Sequence, residues 1–262
     1  MTGSLRVLQL TDTHLYADPA ASLLGVNTLE SFREVVDSAL AHGPYDLVLV
    51  TGDLVHDSSR AGYDRLVAEV RRFGVPAYCL AGNHDEAAAF AAYLGRDGVS
   101  APKQVDAGAW RIVLLDSTVP GAEGGHLGEA EFAVLVAALA EGERQVLVCL
   151  HHQPVPVHSA WLDTMAVANG SELLAAIEGQ PRVRGVLWGH VHQEYDQVHG
   201  GVRFMATPST CVQFAIRNDD FQVDNRPPGF RLLDLHADGR IESRVVRLER
   251  VPTGLDIASA GY

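Results

Sequence analysis

The sequence predicts an α/β fold. Three observations predict it: short apolar runs of strand length recur, amphipathic helical stripes fall between them, and after residue 192 the pattern changes to paired strands around tight turns. Leu8 and Leu10 open the series, and Leu47 to Val50, Val75 to Leu80, Val146 to Leu150 and Val186 to Trp188 follow. Runs this short and this apolar read as buried strands. Asn27 is placed to cap a helix with Glu30 three residues on, and Leu29, Phe32, Val35, Val36, Ala39 and Leu40 form its apolar face before Gly43 ends it. Tyr63, Leu66, Val67, Val70 and Phe73 make a second stripe closed by Gly74, and Glu129 to Ala140 and Ser171 to Glu178 read as further amphipathic helices. These stripes face a core. Beyond His192, Asp196 to Val198 and Val202 to Met205 flank His199-Gly200-Gly201 as a hairpin, and Phe230 to Leu235 and Ile241 to Leu248 flank Ala237-Asp238-Gly239-Arg240 as another. Between them Arg217 to Gly229, rich in Asp, Asn and Pro, reads as a surface loop.

A chain of 262 residues suffices for one sizeable core, and motifs spread from Asp12 to His192 that meet at one site imply a single domain over 1–262. Met1 to Leu10 is interrupted by Gly3, Ser4, Arg6 and Gln9, which is not a signal-peptide core, and no apolar run approaches membrane-spanning length. Cys79, Cys149 and Cys211 have no close pairing and read as reduced thiols of a cytoplasmic protein. Cys79 and Cys149 are expected in the core, and Cys211 packed near the site without ligating. A formal charge of −13 with no basic stripe argues against nucleic-acid polymers as partners. It leaves room for small anions drawn by a local positive charge. No membrane partner and no oligomeric state is implied.

Five motifs recur in order: Asp12-Thr13-His14, Gly52-Asp53, Gly82-Asn83-His84-Asp85, His151-His152 and Gly189-His190-Val191-His192. All but the first directly follow an apolar run, so their side chains are expected at the carboxyl edge of a sheet, where α/β folds place ligands. In Asp12-x-His14 and His190-x-His192 the members are two residues apart, which in extended chain puts both on one side. Together the motifs offer oxygen and nitrogen donors for two metal ions side by side. Asp12, His14, Asp53 and His192 are assigned to one ion, and Asp53, Asn83, His151 and His190 to the other, with Asp53 as the bridge. Two divalent ions bring four positive charges; Asp12 and Asp53 return two and a bridging hydroxide one more, so the cluster stays attractive to phosphate. Paired metals also generate a hydroxide nucleophile at neutral pH, and the ligand set therefore points to phosphoester hydrolysis. Histidine and oxygen ligation without thiolate suits iron and manganese, with zinc and cobalt also compatible.

Taken together these motifs resemble the calcineurin-like metallophosphoesterases, and within them the bacterial class III 3′,5′-cyclic AMP phosphodiesterases. Narrower matches are Leu24-Gly25-Val26-Asn27-Thr28, Trp161-Leu162-Asp163, Pro208 to Phe214, Leu235 to Gly239 and the closing Gly261-Tyr262, so the resemblance covers nearly the whole chain. It implies a four-layer α/β/β/α sandwich of two mixed sheets flanked by helices. It also implies hydrolysis of cyclic AMP to 5′-AMP by metal-bridging hydroxide attack on phosphorus, and it selects His151, the first residue after its strand, over His152 as ligand. Other phosphodiesterases or phosphomonoesterases of the superfamily would share every ligand. A non-catalytic scaffold would have lost some.

Expelling a ribose 3′ oxygen calls for a proton donor or electrostatic stabiliser, and His84 is the candidate, with Asp85 expected to orient its ring. His14, Asp53, Asn83, His84 and His192 are expected to lie against the bound phosphate. Trp161 and Phe214 are candidates to stack on a base, with a core role as the alternative for each. His42, His56, His126, His158, His199 and His236 are expected in ordinary surface roles.

Overall fold

Alternation along the central strands sorts side chains onto two faces, and each face has a core of its own. The computed structural model describes residues 3–261; Met1, Thr2 and Tyr262, the last of which entered the resemblance, lie outside them. One six-stranded sheet contains β1 (Leu5–Leu10), β2 (Leu47–Thr51), β3 (Ala77–Leu80) and β4 (Val99–Ser100). The second contains β5 (Gln104–Ala107), β6 (Trp110–Leu114), β7 (Gln145–Cys149), β8 (Val183–Trp188), β9 (Tyr195–His199) and β10 (Val202–Ala206). The chain then returns to complete the first sheet with β11 (Gly229–Leu235) and β12 (Ile241–Arg247). The strand orders are β12-β11-β1-β2-β3-β4 and β9-β10-β8-β7-β6-β5. In the first sheet β1 to β4 run parallel, β11 runs antiparallel to β1 and β12 antiparallel to β11; in the second, β6, β7, β8 and β10 run parallel and the two edges antiparallel. Both expected hairpins are thus present, one at the edge of each sheet.

In β2, Val48 and Val50 join the cluster under the first pair of helices, while Leu47 and Leu49 join a cluster between the sheets. In β7, Val146 and Val148 face the helices of the second sheet, while Leu147 and Cys149 face the interior. Strands buried on both faces cannot show polar alternation, which is why they read as continuous apolar runs. Helices α1 (Thr28–Leu40) and α2 (Arg60–Val70) cover the first sheet, and α4 (Glu129–Ala140) and α6 (Gly170–Ile177) the second; α3 (Ala87–Tyr93) and α5 (Ala160–Asp163) are short connectors. The result is two mixed sheets flanked by helices. Asn27 caps α1 by accepting from the Glu30 N–H at 2.9 Å. The second stripe continues past α2 through a 3-10 turn to Gly74, which takes φ 69° to end it.

A polar chain crosses between the sheets beneath the site. Arg231 of β11, fully buried, donates from Nε to the Thr207 hydroxyl at 3.1 Å, and Thr207 donates to Gln9 Oε1. Gln9 of β1 in turn donates to Thr51 Oγ1 at 2.8 Å and to the Trp188 carbonyl at 3.1 Å. The Arg231 charge is met by Asp196 at 3.2 Å and by the carbonyls of Tyr195 and Ala206. Buried polar groups that lose a partner cost roughly 1–3 kcal/mol each, so this chain fixes how the two sheets meet. The ends of β1, β2 and β8 are registered against one another by it.

Candidate metal centre

The loops leaving β1, β2 and β3 carry Asp12, His14, Asp53 and Asn83, and those leaving β7 and β8 carry His151, His190 and His192. The donors therefore come from the carboxyl ends of both sheets, a correction to the expectation of a single sheet edge. They converge all the same. Asp12, His14 and His192 form one group of donor atoms and Asp12, Asp53 and His151 another. His14 Nε2 lies 3.2 Å from His192 Nε2 and 3.7 Å from Asp53 Oδ2, and His192 Nε2 lies 3.5 Å from Asp12 Oδ1. His151 Nε2 sits 3.3 Å from Asp53 Oδ2 and 3.2 Å from Asn83 Oδ1.

The backbone reaches this arrangement by a route the spacing did not foretell. The Asp-x-His and His-x-His pairs were expected in extended chain, yet Asp12 (φ 53°), His14 (43°), His190 (63°) and His192 (48°) are left-handed, as is Asp53 (50°). Each such residue costs on the order of 1 kcal/mol, and several together are a sizeable part of a domain's net stability. Hydrogen bonds hold them there: His190 N–H donates to both Asp12 carboxylate oxygens at 3.0 and 3.1 Å, His84 N–H to Asp53 Oδ1 at 3.0 Å, and His14 N–H to the Asp53 carbonyl at 2.9 Å. The glycines complete the fit. A β-carbon at Gly82 would fall on Asp53 Oδ1, and one at Gly189 on Thr11 and Asp12, so the motifs need glycine for close approach.

Ring protonation decides what the nitrogens can do. His151 Nδ1 donates to the Thr51 carbonyl at 2.9 Å and His192 Nδ1 to the Val212 carbonyl at 2.9 Å, which leaves each Nε2 lone pair aimed at Asp12, Asp53 or Asn83 oxygens. Backbone carbonyls behind the ring are how metal-binding histidines are commonly oriented. Lone pair against lone pair is repulsive without a cation between them. His190 Nε2 is buried with no hydrogen-bond partner among the described residues. Burial holds His14 and His190 well below the usual histidine range, so both stay neutral donors. Burial would lower His151 too, but the Asp53 carboxylate overrides it and raises the group to about 9. Asp53 itself, though burial opposes its charge, is held well below the usual carboxylate range by His151, His84 and His14. Without a metal the site draws a proton onto His151; the His and Asp cluster fits a divalent cation.

Other residues lie partly where the sequence put them and partly elsewhere. His152 lies beside His151 and His190, but its Nδ1 pairs with the Ser117 hydroxyl at 2.8 Å and its Nε2 with the Glu123 carbonyl at 3.1 Å, so both nitrogens are already engaged. Asp85 does not orient His84. Its carboxylate accepts from the N–H groups of Gly82, Leu54 and Val55 and from the Tyr63 hydroxyl at 2.7 Å, tying the β3 loop to the β2 loop. His56, expected at the surface, stacks on His84 at 4.4 Å and lies against His14. Phe214 is 1% exposed and stacks on the His192 ring at 4.4 Å and 15°, which rules out a base-stacking role. Cys211 packs beside Asp12 with its thiol pushed up to about 12 by burial, in keeping with a non-ligand.

Trp161 lines a cleft of about 150 Å³ with Asn83, His84, His190, Glu123 and Phe221. Phe221 and Glu123 were missed. An aromatic inside a polar loop was the available signal for Phe221, and Val223–Asp224 pairs with Gln213–Phe214, so this segment is not merely a surface loop. A larger cavity of about 610 Å³ lies between α6 and the β9–β10 turn, away from the donors.

The calcineurin-like phosphoesterase family matches residues 5–194, which include all seven donors. The chain belongs to that family. It is 41% identical over 263 residues to the 3′,5′-cyclic adenosine monophosphate phosphodiesterase CpdA of Pseudomonas aeruginosa, covering 99% of this chain and 96% of that one. Against a 3′,5′-cyclic-nucleotide phosphodiesterase of Nostoc it is 37% identical, covering 97% and 95%. Among solved structures it resembles a dimetal phosphatase from Danio rerio at 15% identity, with a TM-score of 0.60 over 94% of this chain and 99% of the other. That likeness supports the family's fold. Among the described residues no helix is long and apolar enough to cross a membrane.

Proposed function

We propose that the chain hydrolyses 3′,5′-cyclic AMP to 5′-AMP, acting as a single domain over residues 1–262 in the cytoplasm. What carries the chemistry is the convergence of buried histidine nitrogens and carboxylate oxygens, with His151 and His192 each turned so that Nε2 faces those oxygens. The choice of substrate is supported by full-length likeness to proteins named as cyclic AMP phosphodiesterases. Asp12, His14, Asp53 and His192 hold one ion, and Asp53, Asn83, His151 and His190 the other, with iron and manganese as the favoured metals and zinc or cobalt compatible. Bound there, the two ions supply Lewis acidity toward the phosphate and activate water at neutral pH.

The chain's own residues do the rest. His14, Asp53, Asn83, His84 and His192 line the phosphate position. His84 borders the cleft and stabilises or protonates the 3′ oxygen as its bond to phosphorus breaks. Trp161 offers the apolar wall for the nucleoside. The test is a turnover screen of metal-loaded protein against cyclic AMP, cyclic GMP, bis-p-nitrophenyl phosphate and a phosphomonoester, with products resolved by chromatography. Cyclic AMP should give 5′-AMP without further loss of phosphate. Accumulation of 3′-AMP or adenosine, or turnover of other esters alone, would redirect the reading to another hydrolase of the family.

A further inference from the structure

Behind the donors lies a histidine that the reaction described above leaves unused. His56 Nδ1 lies 3.1 Å from His14 Nδ1, its ring stacks on that of His84 at 4.4 Å and 21°, and the Tyr16 ring lies 4.9 Å away. We propose that His56 is a positioning residue for two site residues at once: its hydrogen bond sets the proton of His14, and its stacking sets the plane of His84. The inference rests on the binuclear reading of the site.

The case for His14 comes from its neighbours. His151 and His192 each place their Nδ1 proton on a backbone carbonyl, Thr51 and Val212, which frees Nε2. In His14 the corresponding nitrogen meets a side chain. For His14 to present its Nε2 lone pair, Nδ1 must carry the proton and donate, so His56 accepts on Nδ1 and keeps its own proton on Nε2. With the opposite proton arrangement, His14 Nε2 would carry a hydrogen and lose its donor role. A side chain thus does for His14 what main chain does for the other two.

His84 is held differently. Its backbone N–H bonds to Asp53, which fixes the loop, and Asp85 is engaged elsewhere. The His84 ring meets His56 face to face and His14 edge to face, at 5.0 Å and 74°. His56 is itself well anchored. Its N–H donates to the Leu15 carbonyl at 2.8 Å, closing a ladder in which Asp12, His14 and Leu15 donate to Gly52, Asp53 and Leu54. The segment that carries Asp53 therefore also carries the residue that orients His14 and His84.

Two substitutions separate the contacts. His56→Asn keeps an acceptor where Nδ1 stood, because Asn Oδ1 lies the same two bonds from the β-carbon, but has no ring; His56→Phe keeps the ring and has no acceptor. Metal retention against a chelator, by elemental analysis, reads the first contact. The ratio of kcat on cyclic AMP to kcat on bis-p-nitrophenyl phosphate reads the second, since an aryl leaving group needs no proton. His56→Phe is expected to lose metal affinity by roughly 10–100-fold with the ratio unchanged after metal is restored. His56→Asn is expected to keep its metals and lower the ratio by about 10-fold, a part of what a general acid supplies. Two variants that match wild type in both readouts, or that lose both alike, overturn the role of His56. Wild-type protein that binds no metal or fails to open cyclic AMP overturns the binuclear reading along with it.

Discussion

The two sheets make unlike contributions to one site. The β1 to β3 loops supply Asp12, Asp53 and Asn83, all of the oxygen donors, with a single imidazole from His14; the β7 and β8 loops supply only the imidazoles of His151, His190 and His192. Both carboxylates of the candidate donor set therefore stand on the first sheet, and the second adds imidazole nitrogen. A change at Asp12 or Asp53 would alter the charge a cation sees, while one at His151, His190 or His192 would alter its geometry and coordination number.

The sharpest way to break the comparison is to remove one donor from each side. Asp53→Ala should empty both metal positions and abolish measurable turnover, because it deletes a charge and the bridge together. His190→Ala should leave one position filled. Elemental analysis of both purified variants decides, and full occupancy in Asp53→Ala, or equal losses in the two, would end the distinction between the sheets.

A smaller effect sharpens the first sheet's role. His84 rides on the β3 loop but is assigned to the leaving group, so His84→Ala should keep its metals and lose about 10²–10⁴-fold in rate on cyclic AMP, and far less on the aryl diester. Equal losses on both substrates would leave it only a contact to phosphate.

The third effect is one of stability in metal-free protein. His151 is raised to about 9, so its contribution is complete below the ordinary histidine value of 6.5 and is lost as pH climbs through about 9. His14 and His190 are lowered and Asp53 is depressed, so their contributions are present above 6.5 and 3.8 respectively and fade as pH falls. Thermal midpoints should fall on both flanks, with the alkaline decline abolished in His151→Asn and in metal-loaded protein. A His151→Asn profile that still declines between pH 6.5 and 9 would show that the pairing with Asp53 is not its source.

The convergence of Asp12, His14, Asp53, His151 and His192 was legible in the sequence because each sits in a short motif directly after a strand. Asn27 as a cap and both C-terminal hairpins were legible for the same reason, since local chemistry decides them. Asp85, His56 and Phe214 were not. Each acts through residues distant in the chain, Asp85 on Leu54 and Tyr63, His56 on His14 and His84, Phe214 on His192, and nothing in their local spacing encodes those partners. The left-handed backbone at Asp12, His14, His190 and His192 escaped notice because Asp and His tolerate that region without the glycine that would have advertised it.

The hydrogen bond from His190 to Asp12 joins residues 178 apart in the chain. On a ribosome, at about 5–20 residues per second, Asp12 therefore waits roughly 10–40 s before its partner is even made. During that interval Asp12 and His14 exist without His190 and His192, and the segment that must close between them is among the longest the fold contains. The candidate centre is therefore complete only in the finished chain, after the second sheet has docked.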